Sequence, residues 1–139
     1  MPTGAEIAVR RFYDALNRGD DPDLVLAELQ PMLHPAAEYV NPPDAVEPGT
    51  ARGPEGWKRV LMGVFEGLGP TSEFRVHEVV ERGERAFARI SIRTGGGTSG
   101  IEVAGPTIGA VFTLRDGLLV RLEWCWDPRD ALALFEGGG

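Results

Sequence analysis

The stretch that decides the fold runs from Thr107 to Asp127: TIGAVFTL, then RDG, then LLVRLEWCWD. Two β-rich runs flank an Asp-Gly pair, the composition of a tight hairpin. The second run alternates. Val120, Leu122, Trp124 and Trp126 fall on one face; Leu119, Arg121, Glu123, Cys125 and Asp127 fall on the other. Two indoles on one strand face need a large space, and large amphipathic rings suit the wall of a concave site. Pro128 then opens a short helix to Phe135.

Working backwards, Glu73–Glu81, Ala86–Thr94 and Ile101–Leu114 read as strands joined by short turns. They are expected to be antiparallel neighbours, with Gly105-Pro106 bending or bulging the third. Helices precede them. Residues 4–18 carry an apolar stripe of Ile7, Ala8, Phe12, Ala15 and Leu16 behind a Thr3…Glu6 capping box. A second helix starts behind Asp20 or Asp21, with Pro22 in its first turn, and stops near Pro31. Ala37–Asn41 is a short strand, and Pro42–Gly53 is a loop rich in Pro and Gly. Trp57, Val60, Leu61, Val64, Phe65 and Leu68 give a third helix, from about Pro54 to Leu68, its apolar face. Helices grouped ahead of a meander argue an α+β domain, with a curved antiparallel sheet wrapped around helices.

The 139 residues fit one domain, ordered over about residues 4–136. The formal charge of −7 disfavours nucleic acid and anionic membranes. No apolar run of about 18 residues is present to span a bilayer. MPTGAEIAVRR lacks the basic-then-apolar order of a signal peptide, so a cytoplasmic protein is expected. Cys125 is the only cysteine, which excludes intrachain disulfides and Cys-based zinc sites. His34 and His77 have no second ligand at metal spacing, and no cofactor is expected. Cys125 reads as a packed thiol, because no basic cluster accompanies it.

The segments VRRFYDALNRGD, EYVNPPDAVEPGTARG, EGW and FTLRDGLLVRLEWCWDPRDAL, in this order, cover nearly the whole chain. Together they resemble the nuclear-transport-factor-2-like superfamily, and within it the SnoaL-like, polyketide-cyclase-related group. The resemblance implies a cone: a bent sheet wraps a long helix and leaves a pocket at the open end. It does not select a reaction, since isomerases, cyclases, dehydratases and epoxide hydrolases share the shape.

Tyr39-Val40-Asn41 is similar to the Tyr-x-Asn pair that holds water in limonene-epoxide-hydrolase-like members. The carboxylates of that chemistry are missing. The Arg-x-Asp pair reads Arg89-Ile90-Ser91, and the final-strand Asp falls on Trp124, so activation of water by that route is disfavoured. Ketosteroid-isomerase-like chemistry needs an oxyanion donor and a carboxylate base. Tyr13 or Tyr39 can donate; no Asp or Glu falls clearly on the inward phase of those strands, and Asp44 and Glu47, on the Pro-rich loop, would have to swing over the mouth.

The resemblance also turns Phe87, Arg89, Ser91 and Arg93 into the cone, with Arg89 anchoring a ligand. The alternative puts the Ala88, Ile90 and Ile92 face on the core and leaves the arginines solvated. Trp57 belongs either to the pocket rim or to helix packing. The expected ligand-binding set is therefore Tyr13, Tyr39, Asn41, Trp57, Arg89, Ser91, Phe112, Leu122, Trp124 and Trp126, with catalysis, if any, at Tyr39, Asn41 or Arg89. The expected partner is a small, largely apolar molecule, with isomerase- or cyclase-type proton transfer as its chemistry. The other reading is a non-catalytic homodimerisation or accessory module. It would pair through an apolar sheet face of Val111, Ala88, Ile90, Ile92 and Leu119.

Overall fold

The computed structural model describes residues 4–18, 21–45, 48–68, 72–94 and 103–137. In order these form α1 (Gly4–Arg18), α2 (Pro22–Leu29), β1 (Leu33–Asn41), β2 (Gly49–Arg52), α3 (Gly53–Leu68), β3 (Glu73–Arg82), β4 (Arg85–Thr94), β5 (Val103–Arg115), β6 (Leu118–Cys125) and α4 (Pro128–Gly137). The architecture is α+β, as the patterning indicates. Thr3 and Glu47 lie outside the described residues.

The strands make one open six-stranded sheet in the order β2-β1-β6-β5-β4-β3. From β3 to β6 every pairing is antiparallel, but β1 runs parallel to β6. The sheet is thus mixed, a correction to the all-antiparallel expectation. Parallel neighbours need a long crossover, and local patterning does not reveal which distant strand receives it. β2 was also not expected. It is a four-residue edge strand inside the Pro-rich link, and it pairs with the end of β1, Asn41 opposite Gly49.

α1 packs against β3, β4 and β5, and α3 against β1 and β2. Both lie on one face, which holds the main core: Phe12 and Tyr13 from α1, Trp57 and Leu61 from α3, and Ala86, Ala88, Ile90, Ile92, Phe112, Leu119 and Leu122 from the strands. The stripe of α1 is Ala5, Ala8, Val9, Phe12, Tyr13, Ala15 and Leu16, whereas Ile7 is exposed. α4 covers the opposite face with a smaller cluster of Phe87, Val111, Ala131 and Phe135. Gly109 permits this approach: a Cβ there would stand 2.6 Å from Ala131 Cβ.

Bulges set which residue faces which way. Gly105 and Pro106 bulge β5 against Ile92, as expected, and a Cβ on Gly105 would lie 2.3 Å from the Ile92 carbonyl. A second irregularity, near Val120, places Leu119 opposite Leu114 and Arg121 opposite Thr113. Leu119 therefore joins Leu122 in the core instead of facing away from it. The turn between β5 and β6 has positive φ at both Asp116 (52°) and Gly117 (82°), the backbone of a two-residue hairpin.

The expected dimerisation face does not exist as a surface. Ala88, Ile90, Ile92 and Leu119 line the main core, and Val111 lies within the cluster that α4 covers.

Candidate functional site

The rings of Phe12, Tyr13, Tyr39, Trp57 and Phe112 form one edge-to-face group between α1, α3 and the sheet. Tyr39 stands 4.9 Å from Trp57, centroid to centroid, and Phe12 lies 5.8 Å from Phe112. Tyr13 reaches the edge strand, 5.8 Å from Phe74. Such contacts add to the free energy of burying the rings themselves.

The polar ends of these residues have different fates. Trp57 is fully enclosed, and its Nε1 donates to the Ala37 carbonyl at 2.9 Å. That bond fixes Trp57 as a packing residue, the second of its two expected roles. Tyr13 and Tyr39 are 3% and 5% exposed. Neither phenol takes part in a hydrogen bond with the described residues. Burial pushes the Tyr39 hydroxyl far above its ordinary range. Tyr13 is raised too, first by burial and then by the charge Tyr39 would carry. Both are therefore neutral donors at any ordinary pH.

Toward the ends of β1 and β6 the packing opens. Asn41 shares the face of Tyr39, as alternation requires, and its Oδ1 accepts from Trp124 Nε1 at 2.6 Å. Trp124 is half-buried against the core. Trp126 lies past the end of β6, stacked edge-on against Trp124 at 4.7 Å and 44% exposed. Val64, Phe65 and Val76 are likewise only partly covered. Phe112 and Leu122 sit deeper, fully enclosed.

Arg89 and Ser91 are not in this group, a correction to the placement that the resemblance implied. Ile90 and Ile92 face the core, so alternation turns Arg89 and Ser91 to the outer face. There Arg89 approaches Glu78 at 3.6 Å, and Ser91 Oγ lies 2.6 Å from His77 Nε2. The physical reason is plain: isoleucines gain by burial, whereas a guanidinium without a counter-ion loses. Glu38 is on this outer face as well, bridging Arg121 at 3.1 Å and Arg52. Cys125 borders the α4 cluster, its thiol pushed up by burial and by neighbouring carboxylates. His34 belongs to β1, where its Nδ1 accepts from the Ala36 N–H. Asp44 lies in a turn after β1 and is exposed.

No group of three or more His, Cys, Asp or Glu among the described residues is arranged to hold a metal. Patterning did not point to a separate groove of about 400 Å³ between α1 and α2, lined by Ala15, Arg18, Leu24, Val25 and Glu28 among others. It touches none of the aromatic group. No described helix is long and apolar enough to cross a membrane.

Comparison with known proteins bears on the fold. TerC, solved in a co-crystal with polyporic acid, is 24% identical with a TM-score of 0.69, over 96% of this chain and 99% of that one. A candidate SnoaL-like polyketide cyclase from Jannaschia sp. CCS1 is 18% identical with a TM-score of 0.70, over 94% and 90%. A nuclear-transport-factor-2-like protein of unknown function from Burkholderia pseudomallei is 20% identical with a TM-score of 0.68, over 96% and 98%. Among curated proteins no sequence matches. Residues 9–122 match the family model of the SnoaL-like domain, and the chain belongs to that family.

Proposed function

We propose that this protein binds a small, largely apolar molecule in the aromatic interior, entering past Trp124 and Trp126. The observation that carries this reading is the pair of buried phenols without a hydrogen-bond partner among the described residues. A buried hydroxyl left unpaired costs about 1–3 kcal/mol. A ligand oxygen there would satisfy one or both. Phe112, Leu122 and Trp124 would pack its apolar body, and Asn41, braced by Trp124, would stand at the entrance. TerC, similar in fold, was co-crystallised with polyporic acid, which supports the reading that this chain too takes a small organic molecule.

Any isomerase- or cyclase-type proton transfer would use a tyrosine hydroxyl. Among the described residues no Asp, Glu, His, Lys or Arg side chain is buried as a whole, though Glu81, opposite Ala86 on the inward phase of β3, buries one carboxylate oxygen.

A thermal-shift screen of apolar aryl compounds tests the reading. A binder raises the midpoint. Trp124→Ala is expected to abolish that rise while the free protein still melts cooperatively. A screen with no stabilising compound, or an unchanged rise in Trp124→Ala, would overturn it.

A further inference from the structure

The open edge of β3 spaces its backbone groups irregularly. Asn17 bonds both the N–H and the C=O of Phe74, so both point away from β4. Alternation gives the groups of Val76 the same direction. His77 is then an extra residue, because Val76 stands opposite Ile90 and Glu78 opposite Arg89. This bulge leaves His77 and Glu78 exposed side by side, and the next edge-pointing groups belong to Val79, opposite Ala88. The open positions, Val76 and Val79, are thus three residues apart, where a regular strand sets them two apart. No described residue bonds the open-side groups of either valine.

A regular strand does not match that spacing, but a second β3 does. We infer that β3 pairs antiparallel with β3 of a second copy of this chain, about a two-fold axis between His77 and Glu78, joining two sheets edge to edge. Val76 exchanges backbone hydrogen bonds with the partner's Val79, and Val79 with the partner's Val76. Both valines are only partly covered within one chain, and the pairing sets their branched side chains together on the core face. On the outer face His77 meets the partner's Glu78 at both symmetric positions. His77 Nε2 lies 2.6 Å from Ser91 Oγ; with Nε2 accepting that hydroxyl proton, Nδ1–H is the donor for the carboxylate. The same register sets Glu73 opposite the partner's Arg82 and puts no like charges face to face. A slip of one residue would set Glu73 against the partner's Glu81, or Glu78 against the partner's Glu78. Asn17 holds the groups of Phe74, so the ladder stops there. So short a contact makes a concentration-dependent dimer.

Sedimentation velocity of the full chain over a concentration series tests this. Wild type should pass from monomer to dimer. His77→Glu sets acid against acid across the axis, and Glu78→Lys sets a cation against histidine. Each should weaken association by about tenfold, with a cooperative melt retained. In a mixture of the two variants every facing pair again sets an acid against a base, and heterodimers should form at wild-type strength. Val79→Pro removes an edge N–H that β4 does not use, and should abolish the dimer while the monomer stays folded. A wild type that remains monomeric at its highest soluble concentration overturns the inference. A dimer that survives in both single variants, or in Val79→Pro, overturns it too, because association then lies elsewhere. Mixed variants that stay monomeric overturn the register.

Discussion

Asn17 holds both backbone groups of Phe74: its Nδ2 donates to the Phe74 carbonyl and its Oδ1 accepts the Phe74 N–H, each at 2.7 Å. β3 is an edge strand, so these groups have no neighbouring strand to bond. An amide side chain on α1 takes that strand's place. It caps a stretch of open edge and fixes α1 one turn beyond Tyr13. Asn17→Ala leaves a part-buried N–H and C=O bare. It should lower stability by about 2–3 kcal/mol, read as a lower urea midpoint with unchanged slope.

Gly109 lies under the start of α4, where a Cβ would meet Pro128 Cα at 2.8 Å as well as Ala131. Neither neighbour is a flexible side-chain tip. Gly109→Ala is expected to lift α4 and to cost about 1–3 kcal/mol. An equilibrium melt at wild-type stability would show that the helix yields.

Trp57→Phe keeps a ring but removes the donor to Ala37. A buried carbonyl loses its partner and a small void appears, so the loss should be about 2–4 kcal/mol. Trp126→Phe, at an exposed ring, is expected to stay within about 0.5 kcal/mol of wild type. Parallel denaturation curves check the contrast.

The chain has two tyrosines, and both are buried. Their ionisation is raised in the folded protein, so their contribution is fully present below the unfolded value, near 10. It is lost as pH rises through the folded values. Absorbance at the phenolate wavelength should stay flat past that point, then rise in one step with unfolding. A smooth, ordinary tyrosine titration would contradict the burial.

Glu38 behaves in the opposite sense. The hydrogen bond from Arg52, followed by the charges of Arg52 and Arg121, holds its carboxyl below the usual range. Its contribution is present above the unfolded value of about 4 and vanishes as pH falls through the folded one. Glu38→Gln should flatten the acid side of the stability profile and leave the alkaline side unchanged.

Patterning recovered all four helices and the strand-rich second half because those signals are local. α3 shows this best: Trp57, Val60 and Leu61 are buried as their spacing requires. Face assignments failed where one residue shifts the phase. The irregularity near Val120 brings Leu119 to the core. On β4 the alternation was legible, but likeness to relatives pointed it the wrong way; the cost of burying arginines pointed it correctly. β2 lacks enough length to register a pattern, and the β1–β6 pairing depends on a chain reversal encoded by no single segment. Of the candidate residues, Tyr13, Tyr39 and Phe112 lie in one ring cluster around Phe12, and Trp124 bonds Asn41. That neither phenol is hydrogen-bonded to a described residue is a property of the assembled interior, visible only in three dimensions.

The three tryptophans occupy three settings: Trp57 sealed, Trp124 half-covered and Trp126 in contact with water. Their emission should accordingly spread from blue to red, and iodide should quench chiefly the reddest component. A guest passing the entrance would shift the middle component without disturbing the blue one. The protein thus carries its own optical gauge of occupancy, readable before any ligand has a name.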